Sequence, residues 1–161
     1  LAENAKITAH PQKELLDQKS YSKGRFLSYD DVQTDEHWQK GKPNWKQENK
    51  GSVRGRFQKS PMIYTKEAGA RLTIKFTGTA IGAYMLSGPD AGIIKCTIDG
   101  KETQIIDTLH KHSGFNYPMT LMFFNELDDG EHSLELETLE NKAGRIKPGG
   151  SAFRALHFTA N

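Results

Sequence analysis

The chain has 161 residues, 35% of them hydrophobic, and a formal net charge of +2 from 22 basic and 20 acidic side chains. That length and composition match one globular domain and exclude wholesale disorder; no apolar run approaches the roughly 20 residues of a membrane-spanning helix. The single cysteine, Cys96, excludes an internal disulfide scaffold and a multi-Cys zinc module, and so balanced a charge does not by itself call for a nucleic acid.

In chain order, Leu1–Ile7 reads as the end of a helix that His10-Pro11 stops. The chain starts at Leu1 with no signal peptide, as expected of a mature fragment or an excised piece. Residues 1–20 are expected to be a linker or the exit from a preceding domain, with Leu15-Leu16 as its apolar anchor, and residues 21–161 a single domain. From Tyr21 the punctuation is that of a β protein. Arg25–Tyr29 alternates, and Met62–Thr65 is short and follows Pro61, which suits a first strand residue or an edge. Ala70–Phe76 is the cleanest alternation, with Leu72, Ile74 and Phe76 on one face and Arg71, Thr73 and Lys75 on the other. Ala80–Leu86 and Ile93–Ile98 flank the loop Gly88-Pro89-Asp90-Ala91-Gly92. Asp99-Gly100 predicts a tight hairpin into Lys101–Ile106. Thr120–Asn125, His132–Leu139 and Ser151–Thr159 complete the series; the last should set Phe153 and Ala155 against Arg154, Leu156 and Phe158. The expectation is an all-β fold, an antiparallel β-sandwich or jelly roll of about eight or nine strands. Leu72, Ile74, Phe76, Ile98, Leu134, Leu136 and Phe158 are its predicted core.

One stretch departs in composition. Between His37 and Lys59 lie seven Lys or Arg against one acid, Glu48, together with Trp38 and Trp45. It is expected to be a long irregular excursion with a short strand around Trp45. An exposed tryptophan can stack on a pyranose face, and lysines can follow phosphates, so both a glycan and a nucleic acid are candidate ligands. The alternative is that the tryptophans anchor the excursion to the sandwich. Asp90, in its tight Gly-Pro-Asp turn, is the best candidate acceptor for a sugar hydroxyl, and the same loop is explained equally well as a turn.

Catalysis has one candidate, Asp107-Thr-Leu-His110, an acid and a base three residues apart, with Ser113 beyond. No Gly-Asp-Ser block or Gly-x-Ser-x-Gly elbow supplies a nucleophile. His110-x-His112 is half of a metal site with no evident third ligand. No cofactor is expected; structural Ca²⁺ is left open, with Asp30, Asp31, Asp128 and Asp129 as candidate ligands, although Asp128-Asp129-Gly130 also reads as a turn.

The run Phe76-x-Gly-x-Ala-Ile-Gly-x-Tyr84, Gly88-Pro-Asp-Ala-Gly92, Ile98-Asp-Gly100, Leu127-x-Asp-Gly-x-His132 and Phe153-Arg-Ala-Leu-His-Phe158 resembles the β-sandwich accessory domain of bacterial SGNH/GDSL-type hydrolases. It is also similar to the jelly rolls of carbohydrate esterases and to carbohydrate-binding modules. The resemblance implies a noncatalytic module that binds glycan or packs against a covalently linked catalytic domain to shape its cleft. Trp38, Trp45 and Asp90 are then the candidate ligand residues, the setting is periplasmic, secreted or at the cell surface, and neither nucleic acid nor membrane is a partner. The catalytic DxxH block of that hydrolase family is absent around His10-Pro11, where Ile7 stands in the acid's place. Two other readings compete: a hydrolase using Asp107 and His110, and a nucleic-acid-binding β module.

Overall fold

The structure, a computed structural model, describes residues 13, 16, 17, 20–48, 51–140 and 149–161. The expected linker therefore lies largely outside the described residues, although Leu16, half of its expected anchor, is fully exposed.

Two antiparallel sheets pack face to face. The first runs β3 (Gln39–Gly41), β4 (Met62–Thr65), β11 (Phe153–Ala160), β6 (Ile81–Ser87) and β9 (Tyr117–Phe124), with β1 (Arg25–Phe26) pairing on β11. The second runs β2 (Val32–Thr34), β5 (Arg71–Thr77), β10 (Glu131–Leu139), β7 (Ile93–Ile98) and β8 (Glu102–Asp107). The sandwich expectation holds, with eleven strands rather than eight or nine among the described residues; β1, β2 and β3 are only two or three residues long.

Side-chain alternation builds the core. On β5, Leu72, Ile74 and Phe76 are buried while Arg71, Lys75 and Thr77 face out. They meet Ile94, Cys96, Ile98, Leu134 and Leu136 of their own sheet and Ile63, Ala83, Met85, Phe123 and Phe153 of the other. All seven predicted core residues are buried. Burial in this apolar setting pushes the Cys96 thiol up to about 12, so it is a packing residue rather than a nucleophile. The Asp99-Gly100 hairpin forms, with left-handed φ of 51° and 66° and the Lys101 N–H donating to the Ile98 carbonyl at 2.9 Å, but Ile98 pairs with Glu102, so the return strand starts at Glu102 rather than Lys101.

Strand β11 departs from strict alternation. Ala155 pairs with Met85 and His157 with Tyr84, so Leu156 is the extra residue of a β-bulge. The bulge returns Phe158 to the inner face, where its ring meets Phe123 and Phe153. Phe158 thus shares a face with Phe153 and Ala155, not with Arg154 as strict alternation implies.

The outer face of the first sheet has its own apolar layer. Met62, Tyr64, Leu86 and Leu156 cluster there with Phe57, and Trp45, Val53 and Tyr84 pack against them. The described part of the basic excursion, residues 42–48 and 51–61, is therefore a flap laid across this face. Around Trp45 it forms a one-turn helix, α1 (Trp45–Glu48), rather than a short strand. Asn44 accepts the backbone N–H of Gln47 and Glu48 at 2.8 and 2.9 Å, closing the turn over the sheet. Fully burying an aromatic or aliphatic anchor is worth roughly 1.5–3 kcal/mol; buried Phe57, with half-buried Trp45 and Val53 adding a part of that each, fastens a segment that has almost no ladder of its own.

Strand directions divide the sandwich into two ends. The loops 88–92, 108–116 and 149–152 meet at the upper end, with the flap tip beside them. The turns 78–80, 99–101 and 125–130 meet at the lower end. Residues 20 and 161 adjoin at that lower end: the Asn161 amide donates to the Ser20 carbonyl at 3.0 Å and accepts from the Lys23 N–H at 3.1 Å.

Candidate ligand-binding end of the sandwich

The upper end is organised by a side chain that its strand pattern marks only as outward-facing. Arg154 is 1% exposed. Its guanidinium donates two parallel hydrogen bonds to Asp90, at 2.8 and 2.7 Å, and a third to Glu48 at 3.0 Å. Lys66 adds an ion pair to Glu48 at 3.3 Å. Burial by itself lowers the Arg154 pKa, but the bonds and charges of Asp90 and then Glu48 outweigh it and hold the group above its ordinary value. Three remote segments, α1, the 88–92 loop and β11, are thus joined at one buried cation.

Backbone packing tightens this hub. A Cβ on Gly88 would sit 2.6 Å from the Asn116 Oδ1 and 2.9 Å from the Asp90 Oδ1. A Cβ on Gly51, whose φ is +74°, would sit 2.9 Å from the Pro89 ring and 3.1 Å from the Phe115 Cα. The buried Asn116 side chain donates to the carbonyls of Gly51 and Ser52. The flap tip, the 88–92 loop and the 108–116 loop therefore touch through glycine.

On this base stands a group of partly exposed rings. His110 stacks on Tyr117 with centroids 4.6 Å apart and planes 4° from parallel. His112 lies 5.3 Å from each of them, and Phe115 meets Tyr117 edge-on at 5.8 Å. The Arg54 guanidinium, from the flap tip, lies 5.5 Å from the Phe115 centroid. Beneath the rings the serine hydroxyls of Ser87 and Ser113 bond to each other, Ser87 donates to the Thr108 carbonyl, and both accept from the His110 N–H. The loop is held from inside and leaves the rings partly exposed.

The residues expected from sequence fall in different places. Trp38 is 6% exposed and sits in the sandwich core with its ring edge-on to Phe153 at 6.0 Å, so it offers no open face to a sugar. Trp45 is half-buried and packs with the outer apolar layer, as an anchor of the flap. Asp90 has both carboxylate oxygens on Arg154 and acts as part of the hub, not as an unengaged hydroxyl acceptor. The hub does bring Asp90 to the helix of Trp45, through Glu48, while Trp38 lies on the other side of the sheet.

Asp107 and His110 do not form an acid–base pair of the triad kind. The Asp107 Oδ1 accepts from the Leu109 N–H at 2.8 Å, and the Nδ1 of His110 accepts from the His112 N–H at 3.2 Å. In a triad that same Nδ1 would carry the proton and donate a hydrogen bond to the carboxylate. Ser113 is 4% exposed and bonded inward. Among the described residues no three His, Cys, Asp or Glu side chains gather as a metal site. Of the calcium candidates, Asp31 accepts the Ser28 N–H in a helix-cap box around the 29–31 turn, and Asp128 bonds the His132 Nε2 through its backbone carbonyl.

Sequence reasoning missed Arg154, Glu48, Phe115, Tyr117 and Arg54. One signal was present: an arginine between Phe153 and Ala155 in an apolar strand needs buried acids or open solvent. The rings carry no such signal, because strand and loop aromatics are common.

No protein-family profile and no curated protein sequence matches the chain. Solved structures do. A two-domain esterase active on acetylated mannans, co-crystallised with mannopentaose, superposes with a TM-score of 0.64 at 13% identity, over 95% of this chain and 39% of that one. A second structure of a two-domain esterase active on acetylated mannans gives 0.58 at 14% identity, over 98% and 41%. An exo-β-1,3-galactanase from Phanerochaete chrysosporium, with galactose, gives 0.50 at 14% identity, over 84% and 29%. This chain thus spans between about three tenths and two fifths of the length of these larger proteins, with which it shares a fold.

Proposed function

We propose that this chain is a noncatalytic glycan-binding module of a carbohydrate-active hydrolase, of the SGNH/GDSL esterase type, working outside the cytoplasm. The observation that carries the reading is the ring group at the upper end. His110, Tyr117, His112 and Phe115 present flat, half-exposed apolar surface rimmed by nitrogen and hydroxyl groups, on a loop already ordered by buried serines. A pyranose offers the complementary surface, an apolar face with a rim of donors and acceptors. The likeness of fold to parts of an esterase and a galactanase supports the same reading.

The lower end favours the companion role, packing on a linked catalytic domain. Phe26 is 69% exposed and lies tilted against His157 with centroids 4.7 Å apart, and Tyr21 and Met122 are 57% and 40% exposed near it on the outer sheet face that the flap leaves bare. This patch borders residue 20 and Asn161 at the lower end, away from the ring group.

Affinity electrophoresis through soluble polysaccharides tests the main claim. Phe115→Ala and Tyr117→Ala should abolish retardation and keep the wild-type fold by circular dichroism. Unchanged retardation in both variants removes the ring group from the site. Turnover of p-nitrophenyl acetate by the isolated chain, lost in His110→Ala, would establish the hydrolase reading in its place.

A further inference from the structure

We infer that the glycan this end takes is a polyanion, a carboxylated or sulfated polysaccharide, held by the outer surface of the flap beside the rings. The inference rests on the glycan reading above and adds the charge of the ligand.

Its basis is how the flap sorts its charges. The excursion from His37 to Lys59 contains one acid, Glu48, and that acid is turned inward, 8% exposed and neutralised by Arg154 and Lys66. The cations face the other way. Lys42, Lys46, Arg54, Arg56 and Lys59 are all exposed. Lys40 differs, since its ammonium is spent on the carbonyls of Tyr29 and Val32 at 2.9 and 2.6 Å. A protein of net charge +2 thus sets five cations on one short surface segment with no exposed acid among them there. An ordinary solvated face mixes both signs.

One of the cations adjoins the ring group. Arg54 lies over Phe115 at 5.5 Å, while Arg56 lies over Phe57, an anchor of the flap itself, at 4.7 Å, so two planar guanidiniums are held in place by aromatic faces. Ordering them in advance reduces the entropy lost when they grip a carboxylate or sulfate, which the guanidinium fork matches in two parallel bonds. A sugar on the ring group would put its acidic substituents within reach of Arg54. Duplex nucleic acid fits less well. It carries one charge per roughly 1.7 Å and is held chiefly through its phosphates, whereas the cation shown beside the rings here is the single Arg54.

The test compares polygalacturonate, a neutral galactomannan and a mixed-sequence oligonucleotide as ligands of the wild-type chain, of Arg54→Gln/Arg56→Gln and of Lys46→Gln/Lys59→Gln. All four side chains are exposed, and the variants should melt with wild type. The expected result is binding to polygalacturonate that weakens at least about tenfold in Arg54→Gln/Arg56→Gln, weakens less in the lysine pair, and falls steeply between low and high salt. Equal binding of the neutral galactomannan, untouched by either charge variant, overturns the polyanion inference and leaves the glycan reading standing. Oligonucleotide binding that displaces polygalacturonate overturns it in favour of nucleic acid. Retention by no polysaccharide overturns both readings.

Discussion

The two ends of the sandwich are held together by different chemistry. At the lower end the ties are short and local. His132 bonds the Asp99 carboxylate through Nδ1 at 2.7 Å and the Asp128 carbonyl through Nε2 at 2.8 Å, joining the 99–101 and 125–130 turns across neighbouring strands. At the upper end one buried arginine joins residues 48, 90 and 154, which no local pairing brings together. The lower end can lose a contact and let water in. The upper end cannot lose a charge without leaving others buried and unpaired, and that asymmetry orders the expected effects.

Arg154→Ala should have the largest effect. It leaves Asp90 and Glu48 facing a void, and breaking a buried ion pair from one side costs about 3–5 kcal/mol. Chemical denaturation reads this directly. Replacing the whole group with apolar residues, as in Arg154→Met/Asp90→Leu/Glu48→Leu, should recover much of the loss; if it does not, the hub contributes more than charge compensation.

Gly51→Ala should come next. The new Cβ must displace Pro89 or the Phe115 backbone and adopt an unfavourable φ, together about 1–3 kcal/mol. The same change should blunt glycan retardation, since Phe115 moves with it. A full-affinity variant would show that the flap tip and the ring group are independent.

Trp45→Ala should lower the melting temperature by several degrees, because a half-buried ring leaves the outer apolar layer. Loss of retardation with an unchanged melting temperature would instead return Trp45 to the ligand surface.

The smallest effect belongs to the lower clamp. Burial lowers the His132 pKa, but the Asp128 carbonyl and then Asp99 outweigh it, so the net shift is upward. The His132 bond, then the Ser133 N–H, hold Asp99 below its ordinary value. The raised His132 stabilises the fold fully below its unfolded pKa near 6.5, and that contribution disappears as pH rises through its folded value. The lowered Asp99 stabilises above its unfolded value, and its share disappears as pH falls through the folded one. Melting curves of wild type and His132→Gln should therefore differ most between about pH 4 and 6.5, by about 0.5–1 kcal/mol, and converge at alkaline pH. A gap that widens above pH 8 would mean that neutral His132 makes the clamp.

The resemblance to carbohydrate-linked β-sandwich domains was drawn from turn and strand motifs, and these are the features the fold bears out. Such motifs are local: Asp-Gly pairs allow positive φ, and alternation decides which face is apolar. Hence Leu72, Ile74 and Phe76, and the Asp99-Gly100 hairpin, were legible without coordinates. The bulge at Leu156 was not, because it depends on which residues of β6 face β11 and leaves no mark in the strand itself.

For the candidate site the division is sharper. By itself the sequence determined that the segment around Trp38 and Trp45 is basic, that Asp90 sits in a tight turn, and that the chain carries enough alternating strand for a sandwich. Only the tertiary structure decided that Trp38 is core, that Trp45 pins a flap, that Asp90 answers Arg154, and that the flap's one acid turns inward while its cations turn out. The physical reason is that a charge or an aromatic ring is ambivalent: each is stable in water and stable when buried against the right partner. Which state it takes depends on what the chain places opposite it, and at the upper end those partners lie up to 106 residues apart.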